Sequence, residues 1–310
     1  MTGYYPFMYN GDGYFCESTI LRGLLNFAGK SSLLQVSTLI NPLPDYKNLD
    51  LSGDAQQAAA RMEARAQAAA SQEMFDQLVA PLLTVQVKTV LEFGCGTAAL
   101  SRRMARAAPW AVIYASDKSA GMLKVARHLV ESENIHNIRL YPWDVLDESV
   151  FPFPTPQFDL IISSVVIPYF DDAQTAAVVK RLSAHFAPGG ILAFVEQDLS
   201  TDTVNFPKTE WFRAVLTKDL RNLKRTLALG LRPVLREAGL HVLPRRSFLW
   251  TDDVYGAYTR DLLERFADAA CEKGRITPEE SDEWKKTLND LAKSGDFYYG
   301  IVYHCISGRR

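Results

Sequence analysis

Five short apolar runs divide the middle of the chain: TVLEF from Thr89, AVIYAS from Ala111, IRLYP from Ile138, DLIISS from Asp159 and GILAFVEQ from Gly190. Stretches of helical character lie between them, at Ala99 to Ala107, Ala120 to Glu131 and Asp172 to Phe186. The second of these carries Met122, Val125, Ala126 and Leu129 on one face. Strands that are apolar at nearly every position must be covered on both faces. Crossover helices packed on a parallel sheet provide that cover. The fold class is therefore α/β, a doubly wound, mostly parallel sheet.

The flanks are helical. Asp54 to Leu83 is rich in Ala, Gln and Arg and reads as helix, its end marked by Phe75, Leu78, Val79 and Leu82 at i, i+3, i+4 and i+7. Residues 1 to 52 are aromatic and Gly/Pro-rich, with short apolar pieces at Thr19 to Phe27 and Leu33 to Ile40. After the fifth run, Arg221 to Ala238 reads as a helix closed by Gly239, and His241 to Leu249 as a strand. Val254 to Ala270 places Tyr255, Tyr258, Leu262 and Phe266 on one side of a helix. Thr277-Pro278-Glu279-Glu280 has the residues of a capping box, opening a helix that ends near Gly295. Tyr298 to Ser307 closes the pattern as a strand, bringing the expected sheet to seven strands. Three regions result: a helical and aromatic cap at 1–83, a core at 84–200, and helical lid segments with the last two strands at 201–310.

Composition excludes several functions. The net charge of −2 and pI near 6.2 argue against nucleic acid, whose phosphates call for clustered Lys and Arg. Cys16, Cys95, Cys271 and Cys305 lie far apart without a Cys/His cluster, so no metal is expected and a reducing compartment is. The N-terminus lacks the pattern of a signal peptide and no apolar run approaches a membrane span, so the expectation is a cytoplasmic chain that does not enter a membrane.

Chemistry concentrates in VLEFGCGTAAL, Val90 to Leu100. A strand, a glycine turn and a helix start leave free N–H groups on a surface where any Cβ would obstruct a ligand. Dinucleotides and S-adenosylmethionine both use such a shelf at the carboxyl edge of a doubly wound sheet. Gly94-x-Gly96-x-x-Ala99 fits the dinucleotide pattern, with Asp117 at a distance suited to a ribose. Glu92 favours the other ligand: a carboxylate before the turn repels a pyrophosphate and suits an ammonium or sulfonium. Asp144 in YPWDV adds a second acid after the third strand.

On these motifs the chain resembles class I S-adenosylmethionine-dependent methyltransferases over roughly Thr89 to Gln197, and is most similar to the small-molecule branch of quinone and natural-product biosynthesis. The resemblance implies a Rossmann-like methyltransferase fold with S-adenosylmethionine as cofactor. It implies that Glu92 holds the methionine ammonium while Gly94, Cys95 and Gly96 lie against the ligand. Asp117 would accept the ribose hydroxyls, with Lys118 and Met122 bordering the adenine. Asp144 would bind the adenine amino group and Val145 would offer its backbone N–H. Ser163 and Ser164 would stand near the methionine part. Two departures matter: Ala98 stands where the family often has glycine, and Pro168-Tyr169 replaces a frequent His-His pair.

The resulting reading is methyl transfer to a small, apolar acceptor by SN2 displacement, under a lid whose walls carry few charges. The candidates to act on the acceptor are Glu196, at the end of the fifth strand, and Tyr169, after the fourth. Tyr255, Tyr258 and Phe266 at helical spacing are more often plain core than pocket wall. His128 and His185 read as surface or packing residues, His136 as a loop residue, and His241 and His304 as structural residues of the last two strands. A small-molecule substrate is the expected partner, with a homo-oligomer formed through the N-terminal segment as a further expectation. An NAD-dependent oxidoreductase on the same turn, or a cofactor-binding relative that transfers nothing, are the competing readings.

Overall fold

The computed structural model describes residues 48–155, 157–216 and 227–310. Residues 41–310 form one compact unit. The N-terminal aromatics and the pieces at Thr19 to Phe27 and Leu33 to Ile40 lie outside the described residues.

The five apolar runs become β1 (Thr89–Phe93), β2 (Val112–Asp117), β3 (Ile138–Pro142), β4 (Phe158–Ser164) and β5 (Phe186–Val204), all parallel. Three further strands follow: β6 (His241–Val242), β7 (Arg246–Asp252) and β8 (Tyr299–Arg309). The order is β3-β2-β1-β4-β5-β8-β6, with β7 also on β8. The single strand expected over His241 to Leu249 is thus two pieces along one edge of β8. Pro244 lies in the break, and proline has no N–H to give a ladder. Seven positions across the sheet are filled, as the sequence implies.

Alternation along the strands sorts side chains onto two covered faces. Val90, Leu160, Ile162, Ala193 and Val195 join one buried cluster, while Leu91, Ile161, Leu192 and Phe194 join the other. The first face is covered by α2 (Ala69–Met74), α3 (Ala99–Ala107), α4 (Ala120–Ser132) and, later, α8 (Ala257–Glu272), while α1 (Ala55–Gln67) packs on α4 and α8, with Ala58, Ala59 and Met122 in a smaller cluster of their own. The second is covered by α5 (Asp172–Leu182) and α7 (Leu227–Glu237), after the short α6 (Thr209–Val215). α9 (Pro278–Ser294) packs on α8, and its N-terminus is the capping box predicted at Thr277. Each apolar side chain buried in these clusters contributes about 1.5–3 kcal/mol.

The stretch Asp54 to Leu83 is not one helix. Ala68 takes an extended conformation (ψ 139°), separating α1 from α2, and a π turn at Phe75–Val79 and a 3-10 turn at Ala80–Leu82 follow. The carbonyl of Ala66, exposed by the break, accepts a hydrogen bond from Arg103. Alanine favours helix throughout this stretch, so tertiary contact sets the break against local propensity. Likewise the helix expected from Val254 begins at Ala257, and Tyr255 sits before it at φ +53°. His185 lies in a 3-10 turn stacked on Phe151 rather than on the helix.

Candidate functional site

In this strand order the connections leave β1 toward β2 on one side and β4 on the other, and the crevice at their carboxyl ends is where such sheets bind ligands. A cavity of about 540 Å³ opens there. Its lining includes Glu92, Gly94, Cys95, Asp117, Lys118, Met122, Asp144, Val145 and Tyr169. The parallel register explains the convergence: Glu92 lies opposite Ala115 and Asp117 opposite Pro142, so each acid ends its strand at the same edge.

The glycine turn is fastened to β2. Cys95 N–H donates to the Ser116 carbonyl at 2.9 Å and Gly96 N–H to Asp117 Oδ2 at 2.8 Å. Gly94 and Gly96 have φ of +65° and +54°, which side-chain-bearing residues rarely adopt. A Cβ on Gly94 would come within 2.5 Å of Val166, and one on Gly96 within 2.5 Å of Met62 Sδ. The bare backbone is therefore required by the protein's own packing as well. Ala98 accepts the left-handed conformation (φ 59°, ψ 28°) where the family often has glycine, and α3 begins at Ala99.

Each acid is held in a defined way. Glu92 is 2% exposed and accepts from the Ser101 hydroxyl. Burial raises its pKa to about 8, partly offset by Ser101. Asp117 accepts from Gly96 N–H on one oxygen and Ser119 N–H, at 2.9 Å, on the other. Burial outweighs those bonds and moves its pKa up. Asp144 accepts from Leu146 N–H at 2.9 Å in an Asx turn. Arg181 of α5 fixes that loop through the carbonyls of Val145, at 3.0 Å, and Val150, at 2.6 Å. Burial lifts the Cys95 thiol well above its usual pKa, so it stays protonated and is no nucleophile.

Two predicted residues stand elsewhere. Glu196 is fully buried and does not line the cavity; its neighbours Val195 and Gln197 do. Successive strand residues face opposite ways, which puts Glu196 on the far face. Burial raises its pKa to about 8. The N–H groups of Ile167, Val166 and Val165 act against that rise, though none closes a bond of good geometry on either oxygen. Ser163 is likewise buried while Ser164 lines the cavity. The same alternation in the sequence identifies Gln197 and Ser164 once one neighbour's direction is known. Gly96 supports the turn from just outside the lining.

Of the apolar lid residues, Tyr258, Leu262 and Phe266 line the cavity. Tyr255 does not; it is 1% exposed and packs on Phe297. The lid walls also differ from the low-charge surface expected, since Arg61, Arg65, Arg103 and Arg265 line them. Among the described residues no group of His, Cys, Asp and Glu is placed to hold a metal ion, and no helix is long and apolar enough to cross a membrane.

Residues 90–190 match the family described as a methyltransferase domain. Among curated relatives, a malonyl-[acyl-carrier protein] O-methyltransferase of Priestia megaterium is 32% identical over 105 residues, 34% of this chain and 35% of that protein. A demethylmenaquinone methyltransferase of Geobacillus stearothermophilus is 30% identical over 115 residues, 37% of this chain and 47% of that one. The chain thus spans less than half the length of these relatives. Among solved structures, an O-methyltransferase family protein from Burkholderia thailandensis superposes with a TM-score of 0.52 at 17% identity, over 88% of this chain and 65% of that one. The [4+2]-cyclase SpnF superposes at 0.51 and 18% identity, over 87% of this chain and 97% of that one. At such identities the likeness is one of fold.

Proposed function

We propose that this chain, whose residues 90–190 match a methyltransferase domain, transfers a methyl group from S-adenosylmethionine to a small molecule in the manner of class I methyltransferases. The observation that carries this reading is the convergence of Glu92, Asp117 and Asp144, from three separate strand ends, on one cavity beside a glycine shelf. The shelf fits the ligand: its side-chain-free surface and the acids around it suit a nucleoside bearing an ammonium, whereas Glu92 opposes a pyrophosphate. The N–H groups of Cys95 and Gly96, expected to be free, are spent on Ser116 and Asp117. Glu92 holds the ammonium, Asp117 the ribose hydroxyls, and Asp144 with the Val145 N–H the adenine, bordered by Lys118 and Met122. Asp117 has lone pairs left for two hydroxyls beyond the N–H groups it already serves. Ser164, rather than Ser163, reaches the methionine side.

When bound, S-adenosylmethionine supplies a methyl group already activated by its sulfonium charge. The chain's work is to align the acceptor and keep water away, which the lid residues Tyr258, Leu262 and Phe266 serve. Tyr169 stands on the lining at the end of β4 and contacts the acceptor. Glu196, turned to the other face, acts on the fold.

Calorimetric titration with S-adenosylhomocysteine and with NAD tests the reading. S-adenosylhomocysteine binds, and its affinity rises about tenfold per pH unit up to about 8 as Glu92 loses its proton to meet the ammonium. E92Q flattens that profile. Binding of NAD instead, or of neither, overturns the proposal.

A further inference from the structure

The turn after β4 depends on one strained residue. Among the described residues, Ala98, Asn134, Val165 and Tyr255 have positive φ without being glycine. Only Val165, at +56°, is β-branched, and its branched Cβ makes that conformation a true outlier. Strain of this kind persists where the surroundings over-determine it, at sites that use the geometry it imposes.

The geometry imposed here is specific. Side chains of an extended strand alternate between faces, yet the consecutive residues Ser164, Val165 and Val166 all line the cavity. The reversal at Val165 makes that possible. It also carries Val166 onto the shelf, where its Cγ2 stands 2.5 Å from the point a Cβ on Gly94 would occupy. The chain continues as a 3-10 turn, Ile167–Tyr169, in which Tyr169 N–H donates to the Val166 carbonyl at 3.1 Å. One residue thus sets Ser164, the contact on Gly94 and the place of Tyr169.

Behind the turn lies Glu196. Val165 N–H donates to the Val195 carbonyl at 3.0 Å, which fastens the turn to the end of β5. The N–H groups of Val166 and Ile167 reach no backbone carbonyl among the described residues, and both act on the Glu196 carboxyl. That carboxyl is fully buried, and neither oxygen closes a hydrogen bond of good geometry elsewhere. Arg65 acts on it by charge. Its partner across the ladder, His304, is engaged by Ser247 at 2.7 Å. Buried N–H groups need an acceptor and a buried carboxyl needs donors. Each supplies what the other lacks.

Resting on the methyl-transfer reading, we propose that Glu196 is a positioning residue. It receives the N–H groups that open the 3-10 turn, holds Val165 in its left-handed form, and so seats Ser164 and Val166 at the methionine end of the cavity. It touches neither donor nor acceptor.

Calorimetry with S-adenosylhomocysteine on the full chain, in wild-type and V165G backgrounds, tests this, because glycine adopts positive φ without being held. E196M keeps the side chain's length and removes the acceptor. It weakens binding at least about tenfold in the wild-type background and at most about threefold in V165G. E196Q retains an acceptor oxygen and stays within about threefold in both. Urea unfolding reads the same coupling without ligand: V165G raises stability more in E196M than in the wild-type chain. If E196M alone does not fold, V165G/E196M does. The inference is overturned by a loss from E196M that is under about threefold or equal in both backgrounds. An E196Q loss as large as that of E196M, or a V165G/E196M chain that does not fold, overturns it too, and each of these leaves the methyl-transfer reading standing. A wild-type protein that binds no S-adenosylhomocysteine but shows the coupling in urea has the opposite meaning: Glu196 holds the turn and the methyl-transfer reading falls.

Discussion

The two walls of the cavity are made in different ways. The shelf wall comes from strand ends, where Glu92, Gly94, Asp117 and Asp144 each follow directly from a β-strand whose register fixes their height. The arginine wall comes from three helices distant in sequence, and its members meet only through packing. A site written in backbone geometry has a local signature. A site written in side-chain charge on helix faces has none, because an arginine in an alanine-rich helix is usually a solvated one.

The strongest way to break the comparison is at the joint between the walls. Arg102, 6% exposed, pairs with Glu63 of α1 and with Glu133 at the end of α4, so it fastens the arginine-bearing helix to the shelf. R102L leaves the buried Glu63 without its partner, and denaturant unfolding should lose about 3–5 kcal/mol. A loss below about 1 kcal/mol would mean that apolar packing alone seats α1.

Protonation separates the two buried carboxyls from ordinary acids. Glu92 and Glu196 both have pKa values raised to about 8 in the folded protein. The native state therefore holds protons that the unfolded chain has released. The stability they permit is full below the unfolded carboxyl range near 4.5, and declines as pH rises toward 8. For Glu196 the decline amounts to up to about 4 kcal/mol. Melting curves from pH 5 to 8 should slope downward, and E196Q should remove roughly half the slope, leaving the part due to Glu92. A slope unchanged in E196Q would mean that Glu196 is ionised in the native fold.

Asp117 sharpens the shelf side. D117A removes the ribose acceptor and the tie to Gly96, so S-adenosylhomocysteine should bind more weakly by about 1–3 kcal/mol in titration. Unchanged affinity would displace the ribose from this edge. The smallest effect is at Ala98: A98G relieves a left-handed alanine and should raise the unfolding free energy by about 1 kcal/mol. A destabilised variant would show that the buried methyl group outweighs the strain.

Much of this molecule was readable before its structure. The alternation from Thr89 to Gln197 gave the five parallel strands, and the box at Thr277 marked a helix start that the structure bears out. Other readings failed where local pattern and tertiary demand diverge. Ala68 breaks a helix its composition favours, and Pro244 splits a strand. Tyr255 left the helix on which Tyr258 lines the cavity. Glu196 was chosen for its acidity, yet its position in the pleat turned it away, and Gln197 faces the ligand space instead.

What the sequence alone determined is the part encoded within a few residues: apolar strands, a glycine turn with positive φ, an acid closing each strand. These are short-range consequences of backbone sterics and hydrogen bonding, and they need no knowledge of the rest of the chain. Only the tertiary structure decided which face Glu196 and Ser163 take, where α1 breaks, and that four scattered arginines share one cavity. Those outcomes depend on through-space burial and Coulomb energy, which distance along the chain does not report.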